Sequence, residues 1–420
     1  ASTGYTIDNS IRFNYADNAY MYRTVSSTGN RKKFTNSFWY KRGAKVGTYQ
    51  ALPSVSTTES GGSYGMFLST ADVLQVFTYY SGSWAGLHYS NRVFRDYAAW
   101  YHFVWTVDTT QAVSSDRVRI YINGVRETSW SSESYPSLNQ DTSFNNSGEQ
   151  HNIGKDANGT IYVDGYGAEM HYLDGYAYGP EYFGEFDSNG IWIPKEYTGS
   201  YGTNGLYIKG SDSSSLGTDS SGNGNNMTLS GLASNDQKTD TPTNNMITFN
   251  PLNNQRSGGT PSNGNLDYVG PGTRTLISLT ANIPSTGKWA VAYKVAQIST
   301  DAGWQIGIAK ADQSDFGDAA GSNEDLKLIR MSPSSSDLGI YDASATSMKW
   351  VANDTGLDGN PATGDNPTVT YNTTQMPRDN VVFAVGSKQT SQHIYLQRST
   401  DVSGTTPTGF TYFENVKDLI

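Results

Sequence analysis

Apolar and polar residues alternate along several short stretches of the chain, most clearly beside one Asn-Gly pair. In residues 116–127, DRVRIYINGVRE, the apolar residues Val118, Ile120 and Ile122 share one parity, and two arginines and a tyrosine share the other. A period of two is typical of a strand with one buried face. The Asn-Gly pair suits a type I′ turn, which needs positive φ at both residues. The pattern predicts an antiparallel sheet that packs on one face and meets water on the other.

Further stretches of the same kind predict a β-sandwich at residues 1–178. Its candidate strands lie at 10–16, 33–43, 65–70, 73–80, 100–107, 117–122 and 168–178. Turn residues separate them at intervals that are typical of sandwiches. Residues 179–247 are aromatic without clean alternation. We therefore expect a loop-rich extension there, packed on the first sandwich, with a short helical turn near 180–186.

Alternation returns in residues 248–420 and predicts a second β-domain. Stretches such as GKWAVAYKVAQI and NVVFAVGS are apolar at alternate positions, and Gly, Pro, Asn and Asp separate them. The fold class predicted for the whole chain is all-β, with tandem antiparallel β-sandwiches. Because the sequence stops at DLI without a polar tail, we expect the natural protein to continue past Ile420.

Composition narrows the classes of function. The chain has 420 residues, a net charge of −10 and no Cys. Without Cys there are no disulfides, thiolate metal sites or thiol catalysis, and the negative charge argues against a nucleic-acid partner, which would need a basic patch. No apolar run approaches the roughly 18–20 residues of a membrane span. No signal peptide is visible, which fits release by cell lysis, as a virus particle leaves its host.

One motif links the first sandwich to a known family. WYHFVWTVDTT (100–110) and DRVRIYINGVRE resemble the central signature of laminin-G-like, concanavalin A-like jelly rolls, in which a W-x-H strand leads to a strand ending in a Y-x-N/D-G turn. The matching residues are Trp100, His102, Tyr121, Asn123 and Gly124. GAEMHYLDGYAYGPEYF (167–183) is similar to the family's last strand and the short helix after it. The resemblance covers roughly the first 180 residues and implies a jelly roll there.

The start of that last strand departs from the family pattern. The family often has an Asp-Glu pair at this place, and the Asp can ligate calcium. Here the matching residues are Ala168 and Glu169. Calcium takes several oxygen ligands, and the Ala side chain offers none. The departure puts a family-type calcium site in doubt, and we predict no metal or cofactor.

Other stretches resemble structural and fibre proteins of tailed bacteriophages, especially marine ones. They are GNRKKFTNSFWYKRG, FGEFDSNGIWIPKEYTGSYGTNGLYI and DTPTNNM. Residues 273–400 resemble a SPRY-type sandwich in the same proteins, through GIYDASATSMKW and MPRDNVVFAVGS. The resemblance implies that the second sandwich, at 248–420, is SPRY-like and that the chain belongs to a virus particle.

The candidate catalytic residues lie in sequence contexts that do not favour catalysis. GGSYG at 61–65 fits G-x-S-x-G, but that motif works only on a strand-to-helix turn, and here it lies in a predicted loop. No two of the five His residues have the i, i+4 spacing of a helical metal site. Glu181, Glu185 and Asp187 fall in a turn-rich segment, not along a concave strand where glycosidase carboxylates must flank the sugar bond. We predict that the chain is not an enzyme.

Aromatic residues beside polar turns are the strongest candidates for a binding site. Their ring faces can stack on sugar rings while polar neighbours bond the hydroxyl groups. The possible glycan contacts are Tyr79, Tyr80, Trp84, Tyr89, Trp130 and Tyr135. The alternative is that these side chains face the core or a second copy of the chain.

We interpret the chain as a non-enzymatic virion protein of a tailed phage, namely a fibre, an appendage or a surface decoration. The expected partners are further copies of the chain, other virion proteins and host-surface glycans, without nucleic acid or membrane insertion. The resemblance to phage fibres implies that the copies form a trimer. Two alternatives remain open. One is a secreted glycan-binding adhesin or lectin module. The other is a polysaccharide-cleaving tailspike, whose sign would be two carboxylates facing one groove.

Overall fold

The computed structural model describes most of the first 271 residues and shorter pieces of the rest. The described residues are 4–43, 49–53, 55–57, 65–80, 83–156, 159–255, 259–271, 275–295, 305–310, 326–330, 336–342, 347–352, 369–370, 381–387, 390–401 and 411–416. The chain divides into two compact units, Ala1–Asn244 and Asn245–Ile420. The helices of the described ranges are single 3₁₀ turns at Tyr15–Asp17, Ser114–Asp116, Pro180–Tyr182, Ser234–Asp236 and Ser399–Asp401.

The first unit is built from short strands. They are β1 Ser10–Phe13, β2 Tyr20–Thr24, β3 Lys33–Arg42, β4 Gln50–Ala51, β5 Val55–Thr57, β6 Gly65–Leu68, β7 Val73–Tyr80, β8 Ser83–Val93, β9 Trp100–Asp108, β10 Val118–Ile122, β11 Val125–Arg126, β12 Trp130–Ser134, β13 Gln150–Ile153, β14 Gly165–Asp174, β15 Gly184–Phe186, β16 Trp192–Pro194, β17 Leu206–Ile208, β18 Thr228–Ser230 and β19 Gln237–Lys238.

A single hydrophobic core joins three sheets of this unit. The eight-stranded sheet has the order β11-β10-β9-β3-β14-β1-β19, with β17 paired to β14. The core also takes side chains from a five-stranded sheet, β12-β8-β7-β6-β4, and a four-stranded sheet, β18-β2-β13-β5. Alternate residues of β9, namely Phe103, Trp105 and Val107, are fully buried in it. The period-two pattern predicted this face correctly.

The opposite face of the central strands was expected to meet water, and that prediction is wrong. His102 and Thr106 of β9 point away from the core, yet both are buried. The Thr106 hydroxyl donates to the carbonyl oxygen of Tyr178 at 2.5 Å. The chain that follows β14 therefore covers the central strands on this face, and side chains of the outer strand β10, such as Arg119, stay partly exposed on it.

The Asn-Gly turn has the backbone that the sequence predicts. Asn123 has φ 48° and Gly124 has φ 79°, and Ile122 pairs with Val125 across the turn, as in a type I′ hairpin. A Cβ at Gly124 would lie 2.3 Å from the ring of Trp192. Glycine is therefore required here for close approach as well as for positive φ.

The last strand of the first unit brings two distant parts of the chain together. Ser10 of β1 pairs with Lys238 of β19. Beyond this pair, the backbone N–H of Ile7 donates to the Thr243 hydroxyl at 3.0 Å, and that hydroxyl lies 3.0 Å from the Ile7 carbonyl oxygen, to which it donates. The segments before β1 and after β19 thus lie side by side.

The second unit is also all-β. Its strands are β20 Phe249–Gln255, β21 Pro261–Ser262, β22 Asp267–Pro271, β23 Thr275–Leu279, β24 Lys288–Val295, β25 Gln305–Lys310, β26 Leu326–Arg330, β27 Ser336–Asp342, β28 Ser347–Ala352, β29 Val369–Thr370, β30 Val381–Ser387, β31 Thr390–Gln397 and β32 Thr411–Tyr412. They form a five-stranded sheet, β20-β23-β30-β25-β26, and an eight-stranded sheet, β21-β22-β31-β24-β27-β28-β29 with β32 parallel to β24. A core with Phe383 from one sheet and Tyr293 from the other lies between them.

The domain boundaries at 1–178, 179–247 and 248–420 stay predictions. Residues 179–244 fall within the first compact unit, where β17 joins the eight-stranded sheet and β18 joins the four-stranded sheet. The strand predicted at 168–178 corresponds to β14, which ends at Asp174, so that the next four residues leave the sheet.

Candidate functional site

Strand pairing places the six predicted glycan contacts on neighbouring strands. Tyr79 and Tyr80 end β7, Trp84 and Tyr89 lie on β8, Trp130 begins β12, and Tyr135 follows β12 directly. These three strands are adjacent in the five-stranded sheet. The side chains of Tyr79, Tyr80 and Trp84 lie outside the described part of the structure. The candidate site is therefore judged on Tyr89, Trp130 and Tyr135.

Trp130 and Tyr135 pack against the core through a histidine. Both rings meet the His88 ring edge to face, with centroids 5.1 and 5.0 Å apart. His88 is buried, and burial lowers its pKa to about 4, so the imidazole is neutral near pH 7. Both aromatic rings are partly buried against the core, and their glycan role stays a prediction.

Tyr89 points to the opposite, outward face of the same sheet. Tyr89 of β8 pairs with Gln75 of β7. Two residues along, Leu87 of β8 pairs with Phe77 of β7. The Phe77 and Tyr89 rings meet edge to face at 5.8 Å and are both half-buried. Tyr89 and Phe77 thus form a half-buried aromatic pair on this face, next to the buried Gln75.

A Ser-His pair that the sequence did not reveal lies on the covered face of the eight-stranded sheet. Ser37 Oγ and His102 Nε2 are 2.9 Å apart, and Trp192 Nε1 donates to His102 Nδ1 at 3.0 Å. Since Nδ1 accepts, Nε2 carries the proton of the neutral ring and donates it to Ser37. Burial, with a smaller effect of His171, lowers the pKa of His102 to about 3. A histidine in this tautomer cannot take a proton from the serine, so the pair is a structural link.

The carboxylate of Glu169, next to Ala168, is bonded to tyrosines. Glu169 lies at the β-bulge of β14 with φ 49°. It accepts hydrogen bonds from the hydroxyls of Tyr5 at 3.0 Å and Tyr207 at 2.5 Å, and its Oε2 lies 3.5 Å from His171 Nε2. Burial alone would raise the pKa of this carboxyl, but His171 and the two hydroxyls outweigh burial and lower it. The described residues contain no group of three His, Cys, Asp or Glu side chains that could hold a metal ion.

The segment that leaves β14 crosses the outer part of the eight-stranded sheet and is fixed there. Thr35 of β3 donates to the carbonyl oxygen of Tyr176 at 2.9 Å and accepts from the N–H of Tyr178 at 3.0 Å. Arg119 of β10 donates to the carbonyl oxygen of Ala177 at 3.4 Å. With the Thr106 bond, side chains of three adjacent strands hold this backbone in place.

Three tyrosines of the segment form a stacked column, which we call the tyrosine column. Tyr176 and Tyr178 have ring centroids 5.4 Å apart at 29°, and Tyr178 and Tyr182 have centroids 4.1 Å apart at 12°. Tyr182 ends the column and is 43% exposed. Below it, Phe183 and Tyr197 are buried and stacked at 5.1 Å. The tyrosine column thus ends in a ring that is partly exposed to solvent.

A hydrogen-bond donor and a hydrogen-bond acceptor flank the tyrosine column. The Arg119 side chain forms no ion pair with any described residue, and its buried Nε has no hydrogen-bond partner among them. The Glu181 carboxylate folds back over Gly179, where an added Cβ would lie 2.3 Å from its Oε2. One donor and one acceptor therefore stand next to the stack. In the sequence, GYAYGPEY carries the signal, since three tyrosines lie within seven residues beside two glycines and a proline.

The three carboxylates considered as catalytic candidates are those of Glu181, Glu185 and Asp187. No contact among the described residues brings them together in one groove. Glu181 and Glu185 are exposed. Asp187 accepts from the N–H groups of Asn189 at 2.9 Å and Ile191 at 2.8 Å in the turn between β15 and β16. Residues 61–64 of GGSYG lie outside the described residues.

Comparisons with known proteins agree with the architecture of the first unit. Residues 15–175 match a family model described as Laminin_G_3, concanavalin A-like lectin/glucanases superfamily, over less than half of the chain. No curated protein matches the chain. The match and the two all-β units confirm the predicted fold class of tandem antiparallel β-sandwiches. No helix in the described ranges is long and apolar enough to cross a membrane.

Three solved structures show remote similarity. The SPRY domain of human HERC1 is 12% identical, with 37% of this chain and 99% of that chain covered and a TM-score of 0.28. The heptameric SAP-like pentraxin from Limulus polyphemus is 13% identical, with 41% and 78% covered and a TM-score of 0.30. The binding domain of botulinum neurotoxin serotype D/C VPI 5993 is 10% identical, with 88% and 84% covered and a TM-score of 0.22. The concanavalin A-like type predicted for the first sandwich is the type that the matching family model describes.

Proposed function

We propose that this chain is a non-catalytic carbohydrate-binding protein that contacts glycans through the tyrosine column. The observation that carries the proposal is the exposed side chain of Tyr182 at the end of a stack fixed to the sheet. A preformed aromatic surface loses little conformational freedom when a ligand arrives, which favours binding.

The chemistry around the column suits a neutral sugar. Aromatic faces attract the C–H edges of sugar rings, while a few polar groups fix the orientation. Arg119 can donate to hydroxyl groups and Glu181 can accept from them. Because a cation and an anion stand together, neither a strongly acidic nor a strongly basic ligand is favoured.

Several features support binding without catalysis. In the Ser37–His102 pair the imidazole proton lies on Nε2, the nitrogen that faces the serine, so His102 cannot act as a general base towards Ser37. Glu169 is bonded to two tyrosine hydroxyls, and the exposed carboxylates near the column lie on a turn and a hairpin. A glycosidase needs two carboxyl groups on either side of one sugar bond.

Tyr182→Ala should weaken binding of a neutral oligosaccharide about 2- to 12-fold, because an aromatic stacking contact contributes about 0.5–1.5 kcal/mol. A glycan array would select the oligosaccharide, and calorimetry would measure its Kd. Tyr49→Ala is the matched control, since Tyr49 is exposed to a similar extent, 39%, and lies elsewhere. Equal affinity in the wild type and in Tyr182→Ala would refute a role for the column.

The aromatic face around Tyr89 is proposed as a second glycan contact. Tyr89→Ala should lower affinity by a few-fold on its own, since this ring is half-buried and offers less area. The same calorimetric titration checks it. If only Tyr182→Ala weakens binding, the glycan contacts predicted on the five-stranded sheet are wrong.

We further propose that the protein works on the outside of a tailed-phage particle as an oligomer. The support is the resemblance of stretches such as DTPTNNM to phage structural proteins. Light scattering on the purified 45.7 kDa chain should give the mass of a trimer. A monomer at all concentrations would count against a fibre and favour a lectin-like module.

A further inference from the structure

Polar side chains are enclosed between two sheets inside the first unit. Asn36 and Trp105 lie on the eight-stranded sheet, and Thr57 and His151 lie on the four-stranded sheet. All four are at most 1% exposed. One polar atom of each has no hydrogen-bond partner among the described residues, namely Asn36 Nδ2, Trp105 Nε1, Thr57 Oγ1 and His151 Nδ1.

Strand register and ring contacts bring these side chains together. Trp105, Asn36 and Tyr172 are direct neighbours across β9, β3 and β14, so they form one row on the core face. On the facing sheet His151 pairs with Thr57. The His151 ring meets the Tyr172 ring edge to face at 5.3 Å. The N–H of Val55, two residues before Thr57, donates to Asn36 Oδ1 at 3.1 Å.

The unpartnered atoms are mainly donors. Asn36 Oδ1 is occupied by Val55, which leaves the two amide hydrogens of this side chain. His151 Nε2 accepts from the N–H of Asn145 at 3.4 Å, so the neutral ring carries its proton on Nδ1. The indole of Trp105 can only donate. Three side chains with an unpartnered N–H group thus lie on neighbouring strands together with Thr57, and no acceptor among the described residues is assigned to these N–H groups or to the Thr57 hydroxyl.

We propose that this region is a binding site for a small hydrogen-bond acceptor, a chloride ion or a water molecule, held between Asn36, His151, Thr57 and Trp105. Buried donors are almost always paired in native proteins, with protein or with an enclosed solvent species. The acceptor would add a polar link between the eight-stranded sheet and strands β5 and β13. This site is independent of the tyrosine column, and neither proposal depends on the other.

Crystals of the full chain grown with sodium bromide give the direct test. Anomalous scattering within about 3.5 Å of Asn36 Nδ2 and His151 Nδ1 supports the site and identifies a halide. An oxygen peak at normal hydrogen-bond distance without anomalous signal supports the site and identifies water. Donors that are bonded to protein atoms, with neither peak present, overturn the proposal.

A pair of threonine variants tests the site in solution. Thr57 and Thr78 are both fully buried, and the hydroxyl of each has no partner among the described residues, but Thr78 lies on β7 in the five-stranded sheet. If the Thr57 hydroxyl binds an enclosed acceptor, Thr57→Val should lower the Tm of the first unit by about 3 °C. Thr78→Val should lower Tm by less, because Thr78 lies on the five-stranded sheet, which carries none of the four side chains of the site, and this variant measures the effect of replacing a buried Thr with Val elsewhere. Equal shifts in the two variants would overturn the proposal.

Discussion

Lys41→Met should destabilise the first unit by about 3–5 kcal/mol, because it removes the cation beside a buried carboxylate. The side chain of Lys41 is fully buried, and its Nζ lies 2.9 Å from Asp240 Oδ2. Trp100 Nε1 donates to the other carboxylate oxygen at 3.1 Å. Urea denaturation followed by tryptophan fluorescence measures the change in the free energy of unfolding.

Two further variants sharpen this prediction. Lys32→Met is the control, since Lys32 and Asp141 form an exposed pair at 3.9 Å, which is worth less than about 1 kcal/mol. The double variant Lys41→Met with Asp240→Leu should recover much of the loss, because no charge remains buried. A cost for Lys41→Met no larger than that for Lys32→Met would contradict the argument.

Asp164→Asn should stabilise the first unit at pH 8 and have much less effect at pH 4. Burial raises the pKa of Asp164 to about 7, against smaller opposing effects of the Tyr15 N–H and of Arg12 and Arg42. The folded state therefore holds this proton more tightly than the unfolded chain does, and stability falls as pH rises from about 4 to about 7. The amide removes this loss, which amounts to up to about 4 kcal/mol above pH 7.

Urea titrations of both proteins at pH 4, 6 and 8 check the Asp164 prediction. Asp212→Asn is the control, because that carboxyl is exposed and its pKa is lowered by bonds from Ser214. A difference between wild type and Asp164→Asn that is the same at every pH would show that the Asp164 carboxyl titrates normally in the folded protein.

The alternation of apolar and polar residues predicted the faces that form the core, because the buried face of a strand can be identified from the residues of that strand alone. Trp105 and Ile120 are examples, and both are fully buried as their parity predicts. The alternation did not predict that the opposite face is buried. The pattern places Thr106 on an exposed face, but its hydroxyl donates to a carbonyl group 72 residues later in the chain. No local pattern encodes a pair such as Lys41 and Asp240, which are 199 residues apart.

The candidate site shows the same limit. Tyrosine spacing was visible in the sequence, but stacking depends on Thr35 and Thr106, which fix the backbone from two other strands. Ser37 and His102 are 65 residues apart, and only strand pairing brings them into contact. Trp192 sets the tautomer of His102, and the packing around Trp192 buries the imidazole. Both features argue against catalysis by the Ser37–His102 pair.

The pairing of β1 with β19 has a mechanical consequence. Residues 7 and 243 are joined by hydrogen bonds, so tension applied between the segment before β1 and the chain after β19 acts on this junction first. The two strands are antiparallel and are pulled from the same end, so their few bonds would open one after another at low force. Asp240 lies between Thr243 and β19, so its ion pair with Lys41 of β3 would resist this opening before it reaches the Ser10–Lys238 pair. A pull along the chain would therefore extend it slightly while the sandwich stays folded.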